Sequence, residues 1–322
     1  MKRMLLFVCV TILMTSCSFS EKGDDKDIEP AQVELVAPGA VGGGADVTAR
    51  AVQQVLQEET IIKAPIKVVN KTEGQGEAGW KYIRQRNEHG VIAGNSSLLI
   101  TNHLLGRSQL TYEDFTPLAI LATEWQVIVV PQQSAIQNIK QLMTVLKTND
   151  HSFKIGLSPR LGNDDHLSFV QASKAAGLNP AKLEFFVYGS SHEVIQALIE
   201  NEIDVAPMSV SEAKEQYLKG KIRILGVSSP KRLEGLEEIP TWKEQGINLT
   251  FSHWRGLMGP PDMTKEEVDY WNSSIYQMVH TKSWKELLKE NDFYPFYKNS
   301  SAAKVFLEQQ SKMYEQLMNG SK

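Results

Sequence analysis

Cysteine is confined to the first 17 residues. Cys9 and Cys17 are the only two in a chain of 322, so positions 18–322 carry no disulfide framework, no cysteine-based zinc site and no cysteine nucleophile. A basic surplus is missing too. The 38 acidic and 34 basic side chains leave a formal net charge of −4, without the electropositive footprint that nucleic-acid binding needs. The apolar run Met4 to Met14 is too short to span a bilayer, and the mean hydropathy of −0.27 excludes a multi-pass membrane protein. Familiar catalytic signatures are absent as well. There is no G-x-S-x-G and no Walker A lysine, and His192-Glu193 lacks the second histidine of H-E-x-x-H. Glu124 has no partner carboxylate that spacing can name, and no nucleophile, base and oxyanion hole assemble. What is present is ordinary globular material: 42% hydrophobic residues, enough for a sizeable core in about two domains.

The N-terminus reads as an address. Met1-Lys2-Arg3 is a basic n-region and the apolar run follows it, the pattern of a secretory signal peptide. Leu13-Met14-Thr15-Ser16-Cys17 resembles the bacterial lipobox, in which the cysteine is lipidated and becomes the mature N-terminus. Met14 stands where the lipobox usually has leucine, and Leu13 is one position further back. The alternative is an ordinary signal peptide with an incidental cysteine. Residues 18–30 are rich in Glu, Asp and Lys and nearly free of apolar side chains, so a disordered tether is expected there. Cleavage before Cys17 removes Lys2 and Arg3 and leaves a net charge of −6.

From residue 31 strand-like and helix-like segments alternate, which argues for α/β architecture with largely parallel sheets. After Pro260-Pro261 the pattern is nearly all helical. A helical tail must pack on a sheet made elsewhere. The strand-like stretches Trp125 to Val130 and Phe251 to Met258 bracket the middle of the chain. A discontinuous arrangement follows, with residues 31–124 plus 255–322 as one lobe and 125–254 as the other. A cleft between such lobes is where a ligand would bind.

Three local features carry chemistry. Gly39 to Gly44 puts four glycines between a strand and a helix, where backbone N–H groups at a helix start attract anions. Asp46 then either caps that helix or reaches a ligand hydroxyl or water. A plain tight turn is the bland alternative. Gly74 to Gly79 matches G-x-G-x-x-G and raises a dinucleotide-dependent oxidoreductase, but the next strand ends in Gly94-Asn95 without the ribose-binding acid. Asn163 reads as the N-cap of a helix whose first turn holds Asp164, Asp165 and His166; no second histidine has ligand spacing, so no metal and no cofactor are expected. Trp254 lies where the chain crosses back between lobes and could close over a ligand, or simply pack. Its neighbour Arg255 could pair with a ligand carboxylate or a core acid.

Taken in order, these segments resemble the extracytoplasmic solute receptors of tripartite tricarboxylate transporters. Pro38 to Arg50 is similar to the pattern P-x-x-x-G-G-x-x-D-x-x-A-R. Val68-Val69-Asn70-Lys71 and the glycines after it resemble V-V-N-K/R-x-G-A-G-G, and Thr111 to Pro117 resembles Y-D-x-D-F-x-P. Lys154 to His166 corresponds to a second binding loop. Tyr188-Gly189-Ser190 stands in place of Y-K-G. Ile224 to Arg232, Ile239-Pro240-Thr241 and His253-Trp254-Arg255-Gly256 continue the match.

The resemblance implies a type II, two-lobed periplasmic-binding-protein-like fold that closes on a small tricarboxylate, dicarboxylate or related organic acid, without catalysis. It implies a monomer, lipid-anchored outside the cytoplasm through Cys17, that delivers its ligand to integral membrane permease subunits. Carried over residue by residue, it makes Gly39, Ala40, Gly43 and Asp46 ligand contacts of the first lobe, with Ser96 and Ser97 extending that wall. From the second lobe come Ser158, Gly162, Asn163, His166, Tyr188, Gly189 and Ser190. The chain departs from the family at Asn163, usually threonine, at Ser190 to His192, and at Arg160, which could add charge for a second carboxylate. A receptor for another transporter type, or a sensor partner, is the neighbouring reading.

Overall fold

The computed structural model describes residues 28–148 and 153–319. The signal-peptide and Cys17 expectations lie outside that range, as does most of the tether. Ile28 to Pro30, expected in the tether, lie against the body instead. Glu29 Oε1 accepts from the N–H of Lys63 at 2.6 Å and of Ala64 at 3.0 Å, and the Ile28 carbonyl accepts from His89 Nε2 at 2.7 Å.

The chain begins as three parallel βα units. In order they are β1 (Val33–Ala37), α1 (Gly44–Glu58), β2 (Ile66–Asn70), α2 (Glu77–Arg84), β3 (Val91–Ser96) and α3 (Ser97–Leu104). β1 lies between β2 and β3. The inward face of α1, formed by Ala49, Val52, Val55 and Leu56, joins Val33 and Leu35 in one core cluster, as the i, i+3, i+4 spacing requires.

β4 (Thr116–Pro131) is a single 16-residue strand. The sequence pattern marks only its second half. Thr123-Glu124 looks like an interruption, yet both side chains are buried beside structure from later in the chain. The first half of β4 pairs antiparallel with β9 (Ser252–Gly259), and its second half pairs with β7 (Ala206–Ser209) and β8 (Ile222–Val227). β4 thus belongs to both lobes. Between its end and β7 come α4 (Ile139–Thr148), β5 (Ile155–Leu157), α5 (Asp164–Ala175), β6 (Phe185–Val187) and α6 (Ser191–Ile199), with β5 and β6 parallel. α7 (Val210–Leu218) joins β7 to β8.

After β9 come α8 (Lys265–His280), α9 (Lys282–Glu290), β10 (Tyr294–Asn299) and α10 (Ser300–Asn319). β10 corrects the expectation of an all-helical tail. Its Tyr-Pro-Phe-Tyr run is aromatic and strand-prone, and Pro295 is tolerated because β10 is an edge strand, antiparallel to β4. Among the described residues five of the eight strand pairings are antiparallel, so the sheets are mixed rather than largely parallel. α10 then packs on both lobes. Its Ala303, Phe306, Leu307, Tyr314 and Leu317 share one core cluster with Ile100 and Ile120 of the first lobe and Leu167 and Phe169 of the second.

Candidate functional site

The polar seam between the lobes is built from helix starts. On the first lobe, Gly43 is the N-cap of α1 and no side chain caps it. The preceding turn needs Gly42 at φ +78°, in the left-handed region. Asp46 holds this turn rather than facing solvent. It is 2% exposed, accepts from the Gly42 N–H at 2.8 Å, and also binds Arg50 Nε at 3.0 Å and Asn70 Nδ2 at 2.9 Å. Those donors outweigh the effect of burial and hold its carboxyl below the usual range. Asn70 also reaches the Gly39 carbonyl at 3.2 Å, tying β2 to the loop. Asp46 therefore shapes the loop, while Ala40 and Gly43 are exposed on it. Ser96 caps α3 by accepting from the Leu98 N–H. Ser97, fully buried, donates its hydroxyl to Asp164 of the second lobe.

The second lobe answers with three more helix starts. Asn163 caps α5, accepting from the His166 N–H at 3.1 Å, and its Nδ2 donates to the Ser158 carbonyl at 2.6 Å. His166 Nδ1 accepts from the Gly162 N–H at 3.1 Å, and its ring packs edge-on against Phe185. Burial pushes the His166 pKa down to about 4, so the imidazole is neutral at physiological pH and can serve as that acceptor. At α6 the cap is Ser190, which accepts from the Glu193 N–H at 3.3 Å, and the Glu193 carboxylate folds back to accept from the Gly189 N–H at 3.1 Å and the Ser190 hydroxyl at 3.2 Å. Tyr188 spends its N–H on the Leu157 carbonyl. The side chain that faces the seam here is Ser191, between Ser158 Oγ at 3.3 Å and Glu212.

Ser209 and Glu212 form a capping box on α7. Ser211 Oγ donates to Glu124 Oε2 at 3.0 Å, and Arg255 Nε donates to Glu124 Oε1 at 3.0 Å. The Arg255 guanidinium lies directly against Gly44, where any Cβ would overlap it. One chain of hydrogen bonds therefore runs from Ser158 through Ser191, Glu212, Ser209, Ser211 and Glu124 to Arg255, whose guanidinium lies against the start of α1. Burial tends to raise the Glu124 pKa, but Arg255, His253 and the Ser211 hydrogen bond outweigh it and hold the carboxyl ionised below its ordinary range. Asp165 is the opposite case. Burial first, then Glu212, Asp164 and Glu124, push it well up. Among the described residues no group of three or more His, Cys, Asp or Glu has the arrangement to hold a metal ion.

One expectation changes here. Trp254 does not face a ligand space: it is 0% exposed and packs edge-on against Phe306 in the core shared by the lobes. The glycines of the G-x-G-x-x-G stretch are packing glycines. A Cβ at Gly76 would sit 3.1 Å from the Pro38 carbonyl oxygen, and one at Gly79 would sit 3.1 Å from Pro38 Cα. Sequence reasoning overlooked Ser191, Ser209, Ser211 and Tyr314. The Ser209-x-x-Glu212 spacing was a readable capping-box signal; the others had none, since only the tertiary fold brings them to the seam.

A sequence profile described as "Tripartite tricarboxylate transporter family receptor" matches residues 48–321. The chain belongs to this receptor family. A relative from Pseudomonas sp. (strain P51), "UPF0065 protein in tcbD-tcbE intergenic region", is 25% identical over 88% of this chain and 84% of its own. The receptor's fold is that of a "TctC solute binding protein from Polaromonas", with a TM-score of 0.77 at 24% identity, covering 89% of this chain and 98% of that one. "R. palustris Rpa4515 with adipate" has a TM-score of 0.76 at 21% identity, covering 90% and 97%. Periplasmic solute-binding receptors of this family are binding proteins, and the receptor shares their two-lobed architecture.

Proposed function

We propose that this receptor captures a small organic carboxylate, a tricarboxylate, dicarboxylate or related acid, at the seam between its lobes and hands it to membrane permease subunits. One observation carries the reading. The capped starts of α3, α5, α6 and α7 meet across the seam in one hydrogen-bonded network, and the uncapped start of α1 lies against its Arg255 end. Helix starts offer N–H groups and a positive dipole end to an anion. A net charge of −4 offers no general attraction, so the attraction has to be local. The adipate-bound relative supports an organic acid as the class of ligand.

Closure of the lobes around the anion supplies the affinity difference that favours the closed form. Gly39, Ala40, Gly43, Ser96 and Ser158 form the ligand wall in this reading, with Gly162, Asn163 and His166 holding the second loop in shape. Cys17 anchors the mature chain to lipid outside the cytoplasm. Titration calorimetry of residues 18–322 against a panel of mono-, di- and tricarboxylates tests the binding claim; heat from none of them rejects it. Membrane fractionation of the full-length chain against Cys17→Ser tests the anchor, and an unchanged membrane fraction rejects it.

A further inference from the structure

The second binding loop carries a cation that the fold leaves unanswered. Arg160 is 8% exposed although its neighbours Pro159 and Leu161 are exposed, so its side chain turns inward. It makes no hydrogen bond or ion pair with any described residue, and its Nη1 is a buried donor without an acceptor. The loop itself is pressed against the first lobe. Arg107 Nη1 donates to the Leu161 carbonyl at 3.2 Å, and Leu105 lies where a Cβ on Gly162 would stand. Burial and the nearby Arg107 depress the Arg160 pKa to about 10, with Asp164 acting the other way.

The seam acids do not serve it. Glu124 is taken by Arg255 and Ser211, Asp164 by Ser97 and His253, and Glu212 by Ser191 and Ser209. Asp165 receives Asn163 and, with the Gln126 amide turned to donate, Gln126 at 3.0 Å. A guanidinium buried without a partner is unfavourable, and the planar fork is suited to gripping a carboxylate with two bonds.

We infer that Arg160 anchors the second carboxylate of a dicarboxylic acid whose first carboxylate sits on the helix starts of the seam. The inference rests on the carboxylate-receptor reading and narrows it from organic acids in general to dianions. Arg160 sets the choice of ligand and leaves the fold itself unsupported.

The test compares straight-chain dicarboxylates of four to seven carbons with monocarboxylates of the same length, by calorimetry, on residues 18–322 and on Arg160→Gln and Arg160→Lys. The wild type is expected to bind at least one dicarboxylate about tenfold or more tightly than its monocarboxylate partner. Arg160→Gln is expected to weaken that dicarboxylate roughly tenfold to a hundredfold, as for loss of a charged hydrogen bond, and to leave monocarboxylate affinity within about twofold. Arg160→Lys should restore part of the loss. The Tm of the ligand-free Arg160→Gln protein should stay level or rise. A lower ligand-free Tm with an unchanged dicarboxylate preference overturns the inference and makes Arg160 structural. Equal binding of both acid classes by the wild type overturns it while leaving the receptor reading intact. Binding of neither class by the wild type removes the receptor reading and the inference together.

Discussion

The buried hydroxyl of Ser97, at the start of α3, donates to the carboxylate of Asp164, at the start of α5. These residues belong to different lobes, so the bond exists only when the lobes are together. Tyr314 on α10 approaches the other Asp164 oxygen at 3.5 Å, and His253 Nε2 lies 3.3 Å from the oxygen that Ser97 serves.

Removing this latch should favour the open form. Ser97→Ala leaves a buried carboxylate short of a donor, at a cost of about 1–3 kcal/mol. The expected outcome is a Tm lowered by several degrees and a larger radius of gyration by small-angle scattering. Combined with Asp164→Asn, the losses should be less than additive, because the residues share one interaction. Full additivity in the double-mutant cycle would show that the bond does not couple the lobes.

Glu124 and Arg255 should behave as a unit. Glu124 is buried and Arg255 is largely covered, and removing one leaves the other's charge without its partner, at about 3–5 kcal/mol. Glu124→Gln or Arg255→Met alone is expected to lower stability steeply, while the double variant recovers much of it in urea unfolding. The pH sign is definite. Because the folded Glu124 pKa lies below its ordinary 4.5, the pair's contribution is present above that value and is lost as pH falls through the depressed folded pKa. The stability gap between wild type and Glu124→Gln should therefore close on acidification.

Asp165 should show the reverse. Its folded pKa is raised above the ordinary 3.8. The folded chain holds this proton after the unfolded chain has released it, so the group costs stability as pH climbs above 3.8. Asp165→Asn mimics the protonated form. A Tm higher than wild type at pH 7, with the advantage vanishing below about pH 4, is the expected result in a pH series of thermal melts.

His166 is the acid-sensitive point of the second loop. Its folded pKa of about 4 lies below the ordinary 6.5. Stability is full above 6.5, where both states are neutral, and falls between 6.5 and 4 as the unfolded chain takes up a proton that the folded one refuses. The total is on the order of 3 kcal/mol. Protonation at Nδ1 would also remove the acceptor for the Gly162 N–H. His166→Gln should flatten the pH dependence of Tm across that window; an unchanged slope would place the titration elsewhere.

Local physics made much of this molecule readable. The strand–glycine–helix order of Val33 to Glu58 reports its own turn, because only glycine adopts Gly42's φ without strain. Asn163 was legible as an N-cap, since a capping side chain bonds N–H groups two or three residues on. β10 was missed because Tyr294 to Asn299 becomes a strand only against β4, which is distant in sequence. The first half of β4 was missed for the same reason: Glu124 interrupts an apolar run until Arg255, 131 residues later, neutralises it. Trp254 was ambiguous because a tryptophan near a crossing suits either a ligand or a core, and only Phe306 on α10 decides for the core.

The sequence by itself determined the class of protein. Cysteine confined to the first 17 residues, alternating α/β periodicity and a glycine-rich loop of family pattern are all local or compositional, and local interactions need no partner from far away. The tertiary structure alone decided what each polar group meets. It tied Asp46 to Gly42, Arg50 and Asn70, assigned Arg255 to Glu124, and left Arg160 buried without an acceptor. Those outcomes depend on desolvation and on contacts between distant segments, and neither exists until the tertiary structure has formed.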